Sequence, residues 1–362
     1  MSALATSTPL RDALEGWDTH VHVFDAAAPV QAGHYQPAHQ PLERIEAEAA
    51  KLGVGHLVLV QPSVYGTDNR LVLDALAREP GRHRAVVVVD TDIADSELHT
   101  MHALGVRGVR FNLVSPVGNG AQAMQALAPR LKALGWHVQW YAAPAQLAQI
   151  AQLHAQTGLP CVLDHLAGMH AALAQDDAAW QALARLADLG AWVKLSGWYR
   201  LQAVAPYAEL HGAIRRVAGL MGERLVWGSD WPHTAFAPHA MPAYASVWEP
   251  VVDALGSARA DKVRMGCWLP PNSALPPALS ICTLASWRDT SAAVAPSACS
   301  LSGSSATCTW RSTPPTRLTA PTPRTVSSFL AMSLSTNHDS ASSSMRGEAT
   351  VNASTACAAR SI

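Results

Sequence analysis

One pattern recurs along residues 1–263. A short apolar run ends in polar or charged residues, and a longer stretch rich in Ala, Leu, Gln and Glu follows. The apolar runs lie at 17–24, 56–61, 84–90, 108–113, 137–141, 161–165, 191–196 and 224–229. They are dense in Val and Leu and mostly continuous rather than alternating, as strands covered on both faces of a parallel sheet are. The stretches between them hold good helix formers, as at 41–52, 69–78, 121–134, 144–157, 176–189 and 203–221. Gly53, Gly105, Gly135, Gly158 and Gly190 each stand between a helical stretch and the next run. A left-handed residue ends a helix there at little steric cost. Eight such units in about 250 residues predict an α/β fold, a (β/α)8 TIM barrel over residues 15–263. A doubly wound open sheet is the alternative. Its most specific signature, G-x-G-x-x-G after the first strand, is absent.

Composition changes the picture in one place. Of the 362 residues, 49% are hydrophobic and 15% charged, with a net charge of −1. These values fit a globular chain and give no footprint for nucleic acid or for a polybasic membrane surface. No apolar run approaches the length of a membrane span. Residues 1–17 contain no apolar core of a secretory signal, so a cytoplasmic location is expected and residues 1–14 read as a flexible N-terminus. The charge is unevenly spread, however. Residues 264–362 hold seven arginines, no lysine and only Asp289, Asp339 and Glu348 as acids. Five of the six cysteines also lie there, at spacings that match no zinc pattern. This Ser-, Thr-, Ala- and Pro-rich stretch shows no helical or strand period. It is expected to be a disordered tail, a frameshifted reading of GC-rich coding sequence rather than an evolved domain.

In a parallel barrel, chemistry collects at the C-terminal ends of the strands. Reactive residues collect at those ends here. The first strand carries Asp18-Thr19-His20-Val21-His22, the fourth Arg110-Phe111-Asn112, the fifth Tyr141 and the sixth Asp164-His165. The seventh leads to Tyr199-Arg200 and the eighth to Ser229-Asp230-Trp231-Pro232-His233. His20 and His22, two apart on a strand, share a face. They can bind a divalent metal or polarise one carbonyl oxygen, or simply be hydrogen-bonded core histidines. Asp230 is placed as a general base beside a water, or as a cap on the following turn. His165 can polarise a carbonyl or carry a proton, or be a buried partner of Asp164. Arg110 can grip a substrate carboxylate in two bonds, or form a salt bridge at the rim. Tyr141 can bond a substrate oxygen or fill the core.

The segments Thr19-His20-Val21-His22-Val23-Phe24, Gly108-Val109-Arg110-Phe111-Asn112, Asp164-His165-Leu166-Ala167-Gly168 and Trp227-Gly228-Ser229-Asp230-Trp231-Pro232-His233, in that order, resemble the amidohydrolase superfamily. The most similar branch is the 2-pyrone-4,6-dicarboxylate hydrolase (lactonase) group, to which Gln61-Pro62-Ser63 is also similar. The resemblance covers roughly residues 15–263. It implies that His20, His22 and His165 surround a lactone carbonyl while Asp230 activates water. It implies substrate contacts from Tyr35, Ser63, Arg110, Tyr141 and Arg200. Two departures stand out: Pro116 replaces a second arginine of the group, and Ala235 replaces an asparagine. Losing a guanidinium favours a related lactone with less charge than a dicarboxylate.

The metal expectation has two sides. Arg110 and Tyr141 stand near positions where binuclear and mononuclear relatives carry further ligands. His20, His22 and Asp230 remain as three ligands for one zinc-like ion, whereas the branch resembled here implies none. The leading expectation is a hydrolase that opens a lactone of a small carboxylated metabolite, in aromatic-acid or sugar-acid breakdown. A metal-dependent decarboxylase of the same superfamily and a barrel damaged by its aberrant C-terminus are the alternatives. Neither nucleic acid nor a membrane is expected as a partner.

Overall fold

A computed structural model of the chain describes residues 14–114 and 120–266. Eight strands lie side by side in chain order: β1 (Gly16–Val21), β2 (Val54–Val60), β3 (Arg84–Val87), β4 (Val106–Asn112), β5 (His137–Tyr141), β6 (Cys161–Leu163), β7 (Trp192–Leu195) and β8 (Leu225–Trp227). All the neighbouring pairs are parallel. The chain after β8 returns to β1. Val21 and Trp231 form a parallel bridge, the His22 amide donates to the Trp231 carbonyl at 2.9 Å, and the Asp230 amide donates to the His20 carbonyl at 2.9 Å. These bonds close the sheet into the expected barrel.

Seven helices fill the crossovers: α1 (Leu42–Ala50), α2 (Arg70–Arg78), α3 (Asp95–Leu104), α4 (Ala121–Ala133), α5 (Leu147–Thr157), α6 (Ala178–Asp188) and α7 (His211–Met221). Two more follow β8: α8 (Glu249–Leu255) and α9 (Ser257–Met265). The five glycines read as helix ends all have positive φ, from 66° to 118°. The stretch 203–221 is helical only from residue 208. Before that, Pro206 offers no amide for a helix and Tyr207 sits at φ 64°. The runs 161–165, 191–196 and 224–229 extend past the C-terminal ends of β6, β7 and β8. There the backbone leaves the ladder to form the turns that carry chemistry.

Alternation is present inside the barrel although both faces of the sheet are buried. Val109, Phe111, Val138, Trp140, Leu163, Val193, Leu195, Leu225 and Trp227 belong to the main apolar core beneath the helices. The residues between them, Arg110, Gln139, Asp164, Lys194 and Ser196, are buried and polar. Val58, Val60 and Val86, with Trp17 against them, form a separate small apolar cluster. Beside it, the interior is a charged and hydrogen-bonded plug rather than hydrocarbon.

Helix α9 packs against β8 and β1 and buries Ala260 and Val263. The Arg264 guanidinium donates to the Leu52 carbonyl and lies over the Trp248 ring, 5.5 Å from its centre. The helix thus continues past the expected boundary at 263. The expectations for the tail beyond 266, for residues 1–13 and for Pro116 fall outside the described residues. No helix among the described residues is long and apolar enough to cross a membrane.

Candidate active site

The residues expected at the strand ends converge at one mouth of the barrel. His22, Tyr35, Ser63, Arg110, Tyr141 and Arg200 all line a single cavity of about 160 Å³, together with Asn112 and Thr234. Beneath them lie His20, His165 and Asp230, all buried. The His20 ring centre is 5.0 Å from that of His22 and 4.8 Å from that of His165, and the Tyr141 ring meets His165 edge-on at 4.8 Å.

The local backbone makes this convergence possible. Asp230, His165, Leu166 and Ala167 occupy left-handed φ between 49° and 59°. Residues with side chains rarely adopt that conformation, and where they do they cluster at functional turns. Gly228 lets β8 come against β1, since a Cβ there would stand 2.6 Å from the His20 Cβ. Gly197 at φ 60° makes room for His165, whose Nδ1 would be 2.3 Å from an added Cβ.

Asp230 is held by one oxygen. Its Oδ2 accepts from the Tyr199 hydroxyl at 2.6 Å and from Arg200 Nε at 2.7 Å. Among the described residues its Oδ1 has no hydrogen-bond partner, and it lies 3.4 Å from His22 Nε2 and 3.7 Å from His20 Nε2. Burial pushes the carboxyl up, but Arg200 and the surrounding histidines outweigh it, so Asp230 is held well below the ordinary carboxylate range. Tyr199 is pushed well above its usual value by burial and by Asp230, so it stays a donor.

His22 Nδ1 lies 2.8 Å from the Val60 carbonyl. Only a protonated Nδ1 can make that bond, so the Nε2 of neutral His22 presents a lone pair. His20 Nδ1 lies between Lys194 Nζ at 3.3 Å and Asp164 Oδ1 at 3.2 Å; a bond from the ammonium makes Nδ1 the acceptor and leaves the proton on Nε2, whereas a bond to the carboxylate does the reverse. Burial lowers the His20 pKa well below its ordinary value, so its ring is neutral. His20 Nε2, His22 Nε2 and Asp230 Oδ1 converge at one buried point. A water molecule, a proton or a metal ion can bridge them. The donor set suits a zinc-like ion with three protein ligands and an open position. A second trio, His20, Asp164 and His165, is geometrically close as well. There Asp164 is already taken by other cations.

Asp164 is the centre of the plug below. Lys194 Nζ is 3.3 Å from its Oδ1; Arg110 Nε and Gln139 Nε2 are 3.4 Å and 3.1 Å from its Oδ2. Burial pushes Asp164 up, yet His20, Lys194 and Arg110 overcome it and hold it well below the ordinary range. Lys194, entirely buried, donates to Gln139 Oε1 at 2.7 Å and is lowered to about 8, chiefly by desolvation. His165 is not the partner of Asp164. Its Nδ1 pairs with Ser196 Oγ at 3.0 Å, and burial lowers it to about 4.

Sequence reasoning did not single out Lys194, Gln139 or Ser196, and it placed Tyr199 at a strand end without a role. A lone lysine inside the apolar run Trp192–Leu195, two residues before Ser196, is the signal that the strand's inner face is polar. Tyr35 is half exposed at the rim of the cavity. Arg110 faces both ways, lining the cavity while pairing with Asp164.

Comparison with known proteins adds a context to this geometry. The profile of the amidohydrolase family matches residues 17–254. A 4-sulfomuconolactone hydrolase from Rhizobium radiobacter is 31% identical over 249 residues, covering 66% of this chain and 83% of that protein. A 2-pyrone-4,6-dicarboxylate hydrolase from Comamonas testosteroni is 29% identical over 240 residues, covering 61% and 78%. The crystal structure of an Acinetobacter baumannii protein assigned as a 2-pyrone-4,6-dicarboxylic acid hydrolase, with citric acid bound, superposes with a TM-score of 0.61. It is 27% identical and covers 69% of this chain and 95% of that one.

Proposed function

The chain belongs to the amidohydrolase family, and from that premise we propose that it hydrolyses the ring ester of a small anionic lactone. One observation carries the reading. The unpaired oxygen of an ionised, buried Asp230 and the imidazoles of His20, His22 and His165 sit at the floor of a cavity whose walls carry Arg110 and Arg200. Ester hydrolysis in a ring needs those parts: a proton acceptor, polar groups for the developing oxyanion and a clamp for the anion.

Each group has a role in this reading. Arg110 and Arg200, whose guanidinium carbons lie 5.8 and 5.9 Å from the Tyr141 ring centre on the cavity wall, hold the carboxylate or sulfonate. Tyr35, Ser63, Asn112 and Tyr141 bond its remaining oxygens. The ring carbonyl points down toward His20, His22 and His165. Water adds its oxygen to the carbonyl carbon while Asp230 Oδ1 takes its proton. The ring C–O bond then breaks, and that proton passes to the departing ring oxygen. The product is an open-chain hydroxy acid (or its keto form), whose new carboxyl group ionises and releases the water's second proton to solvent.

The engaged Arg200 makes substrate and base interdependent. While Arg200 and Tyr199 bind Oδ2, Asp230 is a weak base. An anionic substrate that draws Arg200 toward itself raises the basicity of Asp230 at the moment a proton must be taken. A divalent ion held by His20, His22 and Asp230 would supply carbonyl polarisation and a more acidic water.

The names of two relatives support the substrate class. Sulfomuconolactone and pyrone dicarboxylate are both anionic lactones, and the Acinetobacter protein holds citric acid. The experiment is a screen of carboxylated and sulfonated lactones by pH-indicator acid release, with and without EDTA, alongside metal analysis of the purified protein. Acid release from at least one anionic lactone is expected. Failure on all of them, or zinc-dependent release of CO2 from carboxylates instead, would overturn the reading in favour of the decarboxylase or the damaged barrel.

A further inference from the structure

A second cavity opens beside the polar one. It measures about 350 Å³, roughly twice the volume of its neighbour. Phe24, Tyr35 and Thr234 line both, so the two adjoin across that shared wall. The rest of the larger cavity is of another character. Pro37, Pro232, Phe236 and Met241 supply rings and a thioether, with Gln36 and Gln40 as the polar exceptions and no charged side chain in the lining. The smaller cavity carries two arginines and two histidines. Phe236 also packs edge-on against Tyr199, ring centres 5.0 Å apart, and Tyr199 is the donor that holds Asp230. Two side chains, Phe236 and Tyr199, therefore separate the apolar space from the reacting carboxylate.

We infer that this annex is the subsite for an apolar substituent, so that the substrate is an anionic lactone bearing an alkyl or aryl group. The inference rests on the lactone reading above and narrows it. A lactone with only small polar substituents fills the charged cavity and leaves the annex to water. Water there finds few polar partners, whereas a hydrocarbon group releases it at a gain proportional to the apolar area buried. Size permits this. A cavity of about 150 Å³ is enough for a benzene ring, so the annex accommodates a phenyl or branched alkyl group. Specificity then divides between the two compartments. The arginines select the charge, and the annex selects the side group, which a charged or strongly hydrated substituent would enter only by losing its water.

The test reads binding rather than turnover, with succinate and benzylsuccinate as probes. Both are stable diacids like the product of a carboxylated lactone, and they differ by one apolar arm. The wild-type protein is expected to bind benzylsuccinate at least tenfold more tightly by calorimetry. Met241→Trp, which fills the annex, should reduce that preference to threefold or less. Ala38→Trp, at an exposed wall position where bulk is easily tolerated, should do the same if Met241→Trp fails to fold. Equal affinity for the two diacids, absence of benzylsuccinate binding, or a preference unchanged in the filled variants would overturn the proposal. The lactone reading fails separately. If no lactone is hydrolysed while the benzyl preference persists, the annex stands and the reaction assignment falls. If lactones are hydrolysed without any benzyl preference, only the annex falls.

Discussion

At the scale of single residues, the two oxygens of Asp230 divide the labour. Oδ2 is anchored by Tyr199 and Arg200 while Oδ1 is left for chemistry. Removing the Tyr199 hydroxyl leaves the charge of Asp230 but loosens its aim. Tyr199→Phe should therefore lower kcat about 10- to 150-fold, the loss of one charge-assisted bond of about 1.5–3 kcal/mol, with KM changed much less. A large rise in KM at constant kcat would show that Tyr199 serves binding instead. Arg110 is expected to act on charge alone. Arg110→Met should cost about 1.5–3 kcal/mol of binding for a carboxylated lactone and little for a neutral one, read as the ratio of the two KM values. Equal losses would mean that its bond to Asp164, rather than the substrate, is what matters.

At the scale of elements, the barrel places these residues by bringing β8 against β1 and by filling its interior with a polar network. Gly228→Ala would set a Cβ 2.6 Å from the His20 Cβ and 2.9 Å from its amide nitrogen. The strands must then part, at a cost of about 1–3 kcal/mol, and His20 and Asp230 move apart. A lower melting temperature together with lost activity is expected; an unchanged melting temperature would mean that the seam yields freely. Lys194 tests the network below. Lys194→Met leaves Asp164 and Gln139 without their central partner, and breaking a buried ion pair in this way costs about 3–5 kcal/mol in denaturant unfolding. A smaller loss would show that Arg110 and His20 suffice for Asp164. The eight strands were legible because continuous Val and Leu runs are hard to place elsewhere. The candidate site was legible because His20, His22, Arg110 and His165 lie within such runs, toward their C-terminal ends, and Asp230 directly follows one. The plug was not, because an apolar run hides which of its alternate positions point inward. Lys194 looks like an interruption until the opposite face, Val193 and Leu195, is seen to supply the core. Asp164 was read toward its chain neighbour His165, yet the closure of the barrel sets it against His20, 144 positions away in the chain. The annex was not legible either, because it joins residues 24–40 to residues 232–241.

At the scale of the whole molecule, neutral histidines support the packing. His154 Nε2 accepts from the Trp140 indole at 2.7 Å, and its Nδ1 donates to the Leu159 carbonyl at 2.9 Å. His83 Nδ1 accepts from the Leu57 amide at 3.1 Å. Burial lowers the pKa of both below 6.5, and it lowers that of His137, buried inside the barrel, to about 3. The unfolded chain therefore binds more protons than the folded one as pH falls from about 6.5 toward 3. Folding free energy is fully present above 6.5 and is lost progressively below it. Unfolding midpoints measured from pH 7.5 down to 4 should fall steadily, with most of the fall below 6.5. A flat profile through that window would contradict the neutral assignment. The central claim concerns one carboxylate in this frame: Asp230 takes the proton from water as a lactone ring opens. The direct measurement is acid release from a carboxylated lactone by the wild-type protein and by Asp230→Asn, with circular dichroism to show that the fold is kept. An amide cannot accept that proton, so a rate loss of about 10²–10⁴-fold is predicted. A folded Asp230→Asn protein that keeps more than a tenth of the wild-type rate would contradict the account.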